Sequence, residues 1–104
     1  MISCLVEYQI DRAREVQFEH FCKLWLDLTP KFGGVHHGYF LPGDGPSDRA
    51  LALFSFDSFS AYEQYRIRAA TDEDVLAANR LRDTEAGVIR WDRSFFRPLL
   101  PVAS

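Results

Sequence analysis

A chain of 104 residues allows one domain with one small hydrophobic core, spanning residues 1–104, and leaves no room for a second. With 47% apolar and 14% aromatic residues and no low-complexity run, the composition is that of a folded chain and excludes disorder. The formal charge of -3 argues against nucleic acid, since phosphate binding draws on clustered Lys and Arg, and no apolar run approaches the ~20 residues of a membrane span.

In chain order, "ISCLVEYQI" alternates Ile2, Cys4, Val6, Tyr8 and Ile10 with Leu5, Glu7 and Gln9, which predicts a strand. From about Ala13 to Leu28, the residues Phe18, Phe21, Trp25 and Leu28, flanked by Cys22 and Leu24, form the stripe of an amphipathic helix. Pro30 and the Gly33-Gly34 pair are expected to end it. "VHHGYFLP" reads as a second strand closed by Pro42 and the "GDGPSD" turn, and "RALALFSF", Arg49 to Phe56, as a third that forms a hairpin with it.

Ser60 with Glu63 has the spacing of a capping box, with Asp57 or Ser58 as the alternative cap, and Thr71 with Asp74 repeats the signal. Two consecutive helices are expected, about Phe59 to Ala69 and about Asp72 to Ala86, with a break at Thr71 and a stop at Gly87. "VIRWDRSFFRPLL" is the last strand, with Pro98 tolerated near its end.

The order is βαββαβ with the second helix split. This is the α+β, ferredoxin-like plan, in which a four-stranded antiparallel sheet carries its helices on one face. Ala50 to Phe54 is apolar at every position, and both faces of Val35 to Leu41 carry rings or aliphatics, so both sheet faces need cover. The helices supply one cover. A second copy packed sheet against sheet is the expected other, giving a homodimer and a dimeric α/β barrel.

Cys4 and Cys22 fit neither a metal knuckle nor a CxxC redox pair, so two buried, reduced thiols are expected. The opening "MISCLVEYQIDRAREV" carries no basic leader or apolar signal core, which makes the cytoplasm the expected location.

"HHGYFLPGDG", followed by "ALALFSFDSFSAYEQYR" and the closing "SFFRPL", resembles the NIPSNAP family of the dimeric α+β barrel superfamily. The resemblance runs from the first strand to Leu99. It is most specific at His37, Gly38, Tyr39 and Phe40 and at Tyr62, Tyr65 and Arg66, and weakest over Thr71 to Gly87. It implies the fold and dimer that the patterning suggests, but carries no catalytic residues across, because the family has no agreed set. The wider superfamily includes cofactor-independent monooxygenases, lactone isomerases and haem-handling enzymes that use a cleft between sheet and helices.

His36 and His37 are consecutive on a strand, so they point to opposite faces and cannot share a metal ion unless a bulge turns one round. His20 comes from a distant helix with no clustered carboxylates or thiols, and no metal site is expected. One of the two strand histidines belongs at the mouth of the helix-side cleft, and His37 is the candidate base because imidazole titrates near neutrality. Trp25, Tyr39, Tyr62, Tyr65 and Trp91 are candidate cavity rings, although aromatics at helical and strand spacing are first of all core residues. Tyr62, Tyr65 and Arg66 share one helix side and suit a carboxylate or phenolate, although Arg66 has Glu63 as an alternative partner.

Arg90, Arg93 and Arg97 interleave with Trp91, Phe95 and Phe96, and nearby Asp92 suggests ion pairs there rather than nucleic-acid contacts. No GxSxG elbow or phosphate loop occurs, and no cofactor is called for. Two readings remain. One is a dimer binding a small apolar or aromatic molecule in a cleft, with catalysis of the monooxygenase or isomerase type as an extension. The other is a non-catalytic self-association or protein-interaction module. They differ in whether the cleft is open or filled.

Overall fold

The computed structural model describes residues 1–101. Four strands, β1 (Ile2–Ile10), β2 (Val35–Phe40), β3 (Arg49–Phe56) and β4 (Val88–Phe96), form one antiparallel sheet in the order β2-β3-β1-β4. Three helices, α1 (Glu15–Lys31), α2 (Phe59–Ala69) and α3 (Glu73–Thr84), pack on one face. The expected α+β, ferredoxin-like order is present, and a single 3-10 turn at Arg12–Arg14 precedes α1.

The alternation of β1 decides which face is covered. Cys4, Val6, Tyr8 and Ile10 are buried against Phe18, Phe21 and Cys22 of α1, together with Ala50, Ala52, Phe54 and Phe56 of β3. Burying Val6, Ile10 and the Phe side chains among these contributes about 1.5–3 kcal/mol each. A second cluster joins the helices to one another, with Leu28 and Phe32 meeting Ala69, Val75 and Ala78.

The opposite sheet face has no helix on it. Leu5, Leu51 and Leu53 are half-buried there by their neighbours alone, while Val35, Phe40 and Phe96 are 58%, 56% and 52% exposed. Toward one end this face turns polar, with Glu7, Gln9, Arg49, Arg90 and Asp92 in adjacent rows. In its apolar part Ser55 hydrogen-bonds Ser3, Oγ to Oγ at 2.7 Å, and His37 Nε2 lies 2.7 Å from the same Ser55 oxygen.

Helix ends differ from the sequence expectation in three places. Pro30 does not stop α1 but lies within its last turn. The stop comes at Gly33 (φ +85), where Gly33 N–H donates to Pro30 and Gly34 N–H to Thr29, the paired bonds of a Schellman cap. Neither capping box forms. Ser58, the alternative cap, accepts from Ala61 N–H to start α2. Asp72 replaces Thr71 at α3, accepting from the amides of Asp74 and Val75 while Lys31 pairs with it at 2.6 Å.

Candidate functional site

The site begins with an irregularity in β2. His36 pairs with Phe54 and Gly38 with Leu53, so one extra residue, His37, is accommodated as a β-bulge. Gly38 makes this turn in the left-handed region (φ +114), which a side chain disfavours. Regular alternation would place His37 on the same face as Tyr39. The bulge exchanges the two histidines, so that His36 stacks on Tyr39 with ring centroids 4.9 Å apart, on the helix-covered face. His37 instead reaches Ser55 on the uncovered face. The candidate base His37 therefore lies outside the cleft and His36 is the histidine that faces it, because period-two counting fails across an inserted residue.

Between β4 and the helices the sheet is incompletely covered. Every residue of β4 after Val88 is exposed: Arg90, Asp92 and Phe96 lie on the uncovered face, and on the helix side α2 meets the strand at Phe95 and α3 at Trp91, with a gap left between them. The gap is a cleft of about 310 Å³ whose walls include Trp25, Tyr65, Arg66, Arg82, Trp91 and Arg93. A recess of about 50 Å³ adjoins it through Trp25, Tyr65, Arg82, Trp91 and Arg93 and ends on His36 and Tyr39. The larger volume lies at the lower end of the ~300–1,000 Å³ usual for small-molecule sites.

The walls are aromatic and basic. Trp25 and Tyr65 meet edge to face at 6.4 Å, and Tyr65 stacks on Phe56 at 5.1 Å, so Tyr65 is held from two sides. Arg82 lies over the Trp91 ring with its guanidinium carbon 4.5 Å from the centroid. Arg66 donates to the Tyr62 hydroxyl at 3.1 Å and makes no pair with Glu63. Among the described residues Arg93 has no ion-pair partner and sits beside the neutral thiol of Cys4, and no carboxylate lines either space.

Protonation states are set by burial. The His36 imidazole is pushed down to about 4, first by loss of water and second by the neighbouring charge of His37. Its Nδ1 accepts the Gly38 N–H at 2.9 Å, so the neutral ring carries its proton on Nε2. At neutral pH His36 is thus a hydrogen-bond donor, not a base. Burial pushes the Tyr65 hydroxyl up to about 12, while Arg93 and Arg66 pull the other way, and the phenol remains a donor as well.

Of the residues singled out from sequence, His36, Tyr39, Trp25, Tyr65, Arg66 and Trp91 line the cleft or its recess. Tyr62 does not line either space; it is buried between Phe56, Phe59 and Phe95 and serves as the acceptor that orients Arg66. Arg82, Arg93 and Asn79 also line the site, and sequence reasoning does not single them out as cleft residues. Arg93 is legible in part, since Trp91, Arg93 and Phe95 alternate onto one face of β4. The expected ion pairing of this strand holds for Arg90 with Asp92 at 3.7 Å, on the other face. His20 is exposed on α1, and the described residues contain no cluster of His, Cys, Asp and Glu able to hold a metal ion.

The NIPSNAP family model matches residues 4–101. The chain belongs to the NIPSNAP family. A NIPSNAP family protein of unknown function from Agrobacterium tumefaciens superposes with a TM-score of 0.77 at 16% identity, covering 94% of this chain and 87% of its own. An uncharacterized NIPSNAP domain protein from Burkholderia xenovorans gives 0.70 at 17%, with both chains fully covered. A putative antibiotic biosynthesis monooxygenase from Nitrosomonas europaea gives 0.75 at 9%, over 96% of this chain and all of its own. At these identities the likeness to solved structures is one of fold. No curated protein sequence matches the chain. No helix among the described residues is long and apolar enough to cross a membrane.

Proposed function

We propose that this NIPSNAP protein binds a small, flat, apolar or aromatic molecule in the cleft between β4 and the helices. The observation that carries the reading is the open volume of about 310 Å³ walled by Trp25, Tyr65 and Trp91. Trp25 and Tyr65 pack against the core with one side only partly buried and Trp91 is 42% exposed, and a flat ligand would bury what remains open. His36 and Tyr65 face the site as donors, so a ligand oxygen is held and polarised there rather than relieved of a proton.

The working unit in this reading is a homodimer formed through the uncovered sheet face. Leu5, Leu51, Leu53, Val35 and Phe40 on that face support it, as apolar surface that a second copy would bury. A cytoplasmic setting accords with Cys4 and Cys22 remaining unpaired and buried. Catalysis of the monooxygenase type is an extension by fold analogy with the Nitrosomonas protein.

Native mass spectrometry, gentle and then denaturing, tests both parts. A dimer that loses a discrete small mass on denaturation is the expected result. A dimer with nothing bound favours the second reading, a self-association module, and a monomer overturns the sheet-to-sheet arrangement.

A further inference from the structure

Three arginines converge on the cleft of a chain that holds 15 acidic against 12 basic residues. Arg82 is answered by Asp83, 3.0 Å away, and by Asn79. Arg66 has only the neutral Tyr62 hydroxyl and Arg93 only the neutral Cys4 thiol, so neither is paired with a carboxylate among the described residues. Arg66 and Arg93 both line the cleft, and the charges of both act on the hydroxyl of Tyr65 at its wall. Two guanidinium groups lining one concave aromatic site without a carboxylate raise the cost of leaving it filled only by water and lower the cost of admitting an anion.

Resting on the small-molecule reading, we infer that the molecule this cleft takes up is an aromatic carboxylate, its ring against Trp25, Tyr65 and Trp91 and its carboxylate between Arg66 and Arg93. Planar guanidinium forks match a planar carboxylate with two parallel bonds. Phosphate sites usually add a cradle of backbone N–H groups at a helix N-terminus. Here the start of α3 is already capped by the Asp72 carboxylate, which repels an anion at that end of the cleft. The Nε2–H of His36, in the adjoining recess, has no partner among the described residues and is available to a second oxygen on the ligand's far end.

Both tryptophans of the chain line the cleft, so their two indole N–H signals in a 15N-labelled sample report on this site alone. Titration with trans-cinnamate, its neutral amide trans-cinnamamide, and phenyl phosphate separates the possibilities. The expected result is saturable movement of both indole signals, with cinnamate binding at least about tenfold more tightly than the amide. Arg93→Gln and Arg66→Gln, at sites outside the core, should each erase most of that preference while the thermal midpoint is retained. Equal binding of acid and amide, or a preference unchanged in both variants, overturns the carboxylate and leaves the cleft reading standing. Phenyl phosphate outcompeting cinnamate also overturns it, in favour of a phosphorylated ligand. Indole signals unmoved by all three compounds overturn the inference and the small-molecule reading together.

Discussion

The backbone N–H of Gly38 donates to Nδ1 of His36 at 2.9 Å, and this contact settles which ring nitrogen of a cleft histidine keeps its proton. With burial holding the imidazole near 4 against an ordinary 6.5, the unfolded chain takes up a proton that the folded chain refuses between those values. Stability therefore falls as pH drops from 6.5 to about 4, and the His36 contribution is flat below. Urea midpoints measured across this window should show the slope, and His36→Gln should reduce it by about one proton. Asp72, held below its ordinary 3.8 chiefly by the Lys31 side chain, adds its own loss only at lower pH.

Two glycine substitutions should fail differently. A Cβ on Gly34 would sit 2.8 Å from both Phe56 Cζ and Thr29 Cγ2, so Gly34→Ala overpacks the core and costs about 1–3 kcal/mol. Gly38 has open space around it but a φ of +114, and Gly38→Ala suffers backbone strain, also about 1–3 kcal/mol. Only the Gly38 change should raise the titration midpoint of His36, measured by proton NMR, because it loosens the bulge.

The Ser3, Ser55 and His37 contacts predict an asymmetric double-mutant cycle. Ser55→Ala removes the partner of both Ser3 and His37 and should cost about 1–2 kcal/mol, whereas Ser3→Ala leaves Ser55 paired with His37 and should cost less. The double variant should be little worse than Ser55→Ala alone, as read from denaturant unfolding.

Both thiols should resist chemistry until the chain opens. Burial pushes Cys4 up to about 11 and Cys22 up as well, so neither forms thiolate at about pH 8 in the folded protein. A colorimetric disulfide reagent should react with neither in native buffer and with both in denaturant.

The strands and α2 are readable in the sequence because their signals are local. Alternation marks Ile2–Ile10, an apolar run between turn signals marks Arg49–Phe56, and the cap candidates from Asp57 to Ser60 open Phe59–Ala69. The end of α1 is misread from sequence because proline is tolerated in a last turn whose left-handed cap lies three residues on. In the site, the aromatic character is legible and the basic character is not. Arg82 and Arg93 are 11 residues apart on different elements and meet only through the register of β4 against β1 and the packing of α3. The two histidines cannot be told apart in advance because a bulge is a tertiary choice: Val35-His36 and Gly38-Tyr39 keep their pairing only if His37 is left over.

That leftover residue also governs how copies of the chain can meet. β2 is an outer strand, with a row of amides and carbonyls open to a neighbour's strand, and a regular ribbon there is a template for growth into fibres. The bulge interrupts the row and skews the remainder of the strand, while the other outer strand, β4, presents Arg90, Asp92, Arg93 and, just beyond, Arg97. Lateral extension of the sheet is thereby discouraged on both sides, which accords with the proposed pairing of two copies through the broad uncovered face, a contact that closes instead of propagating.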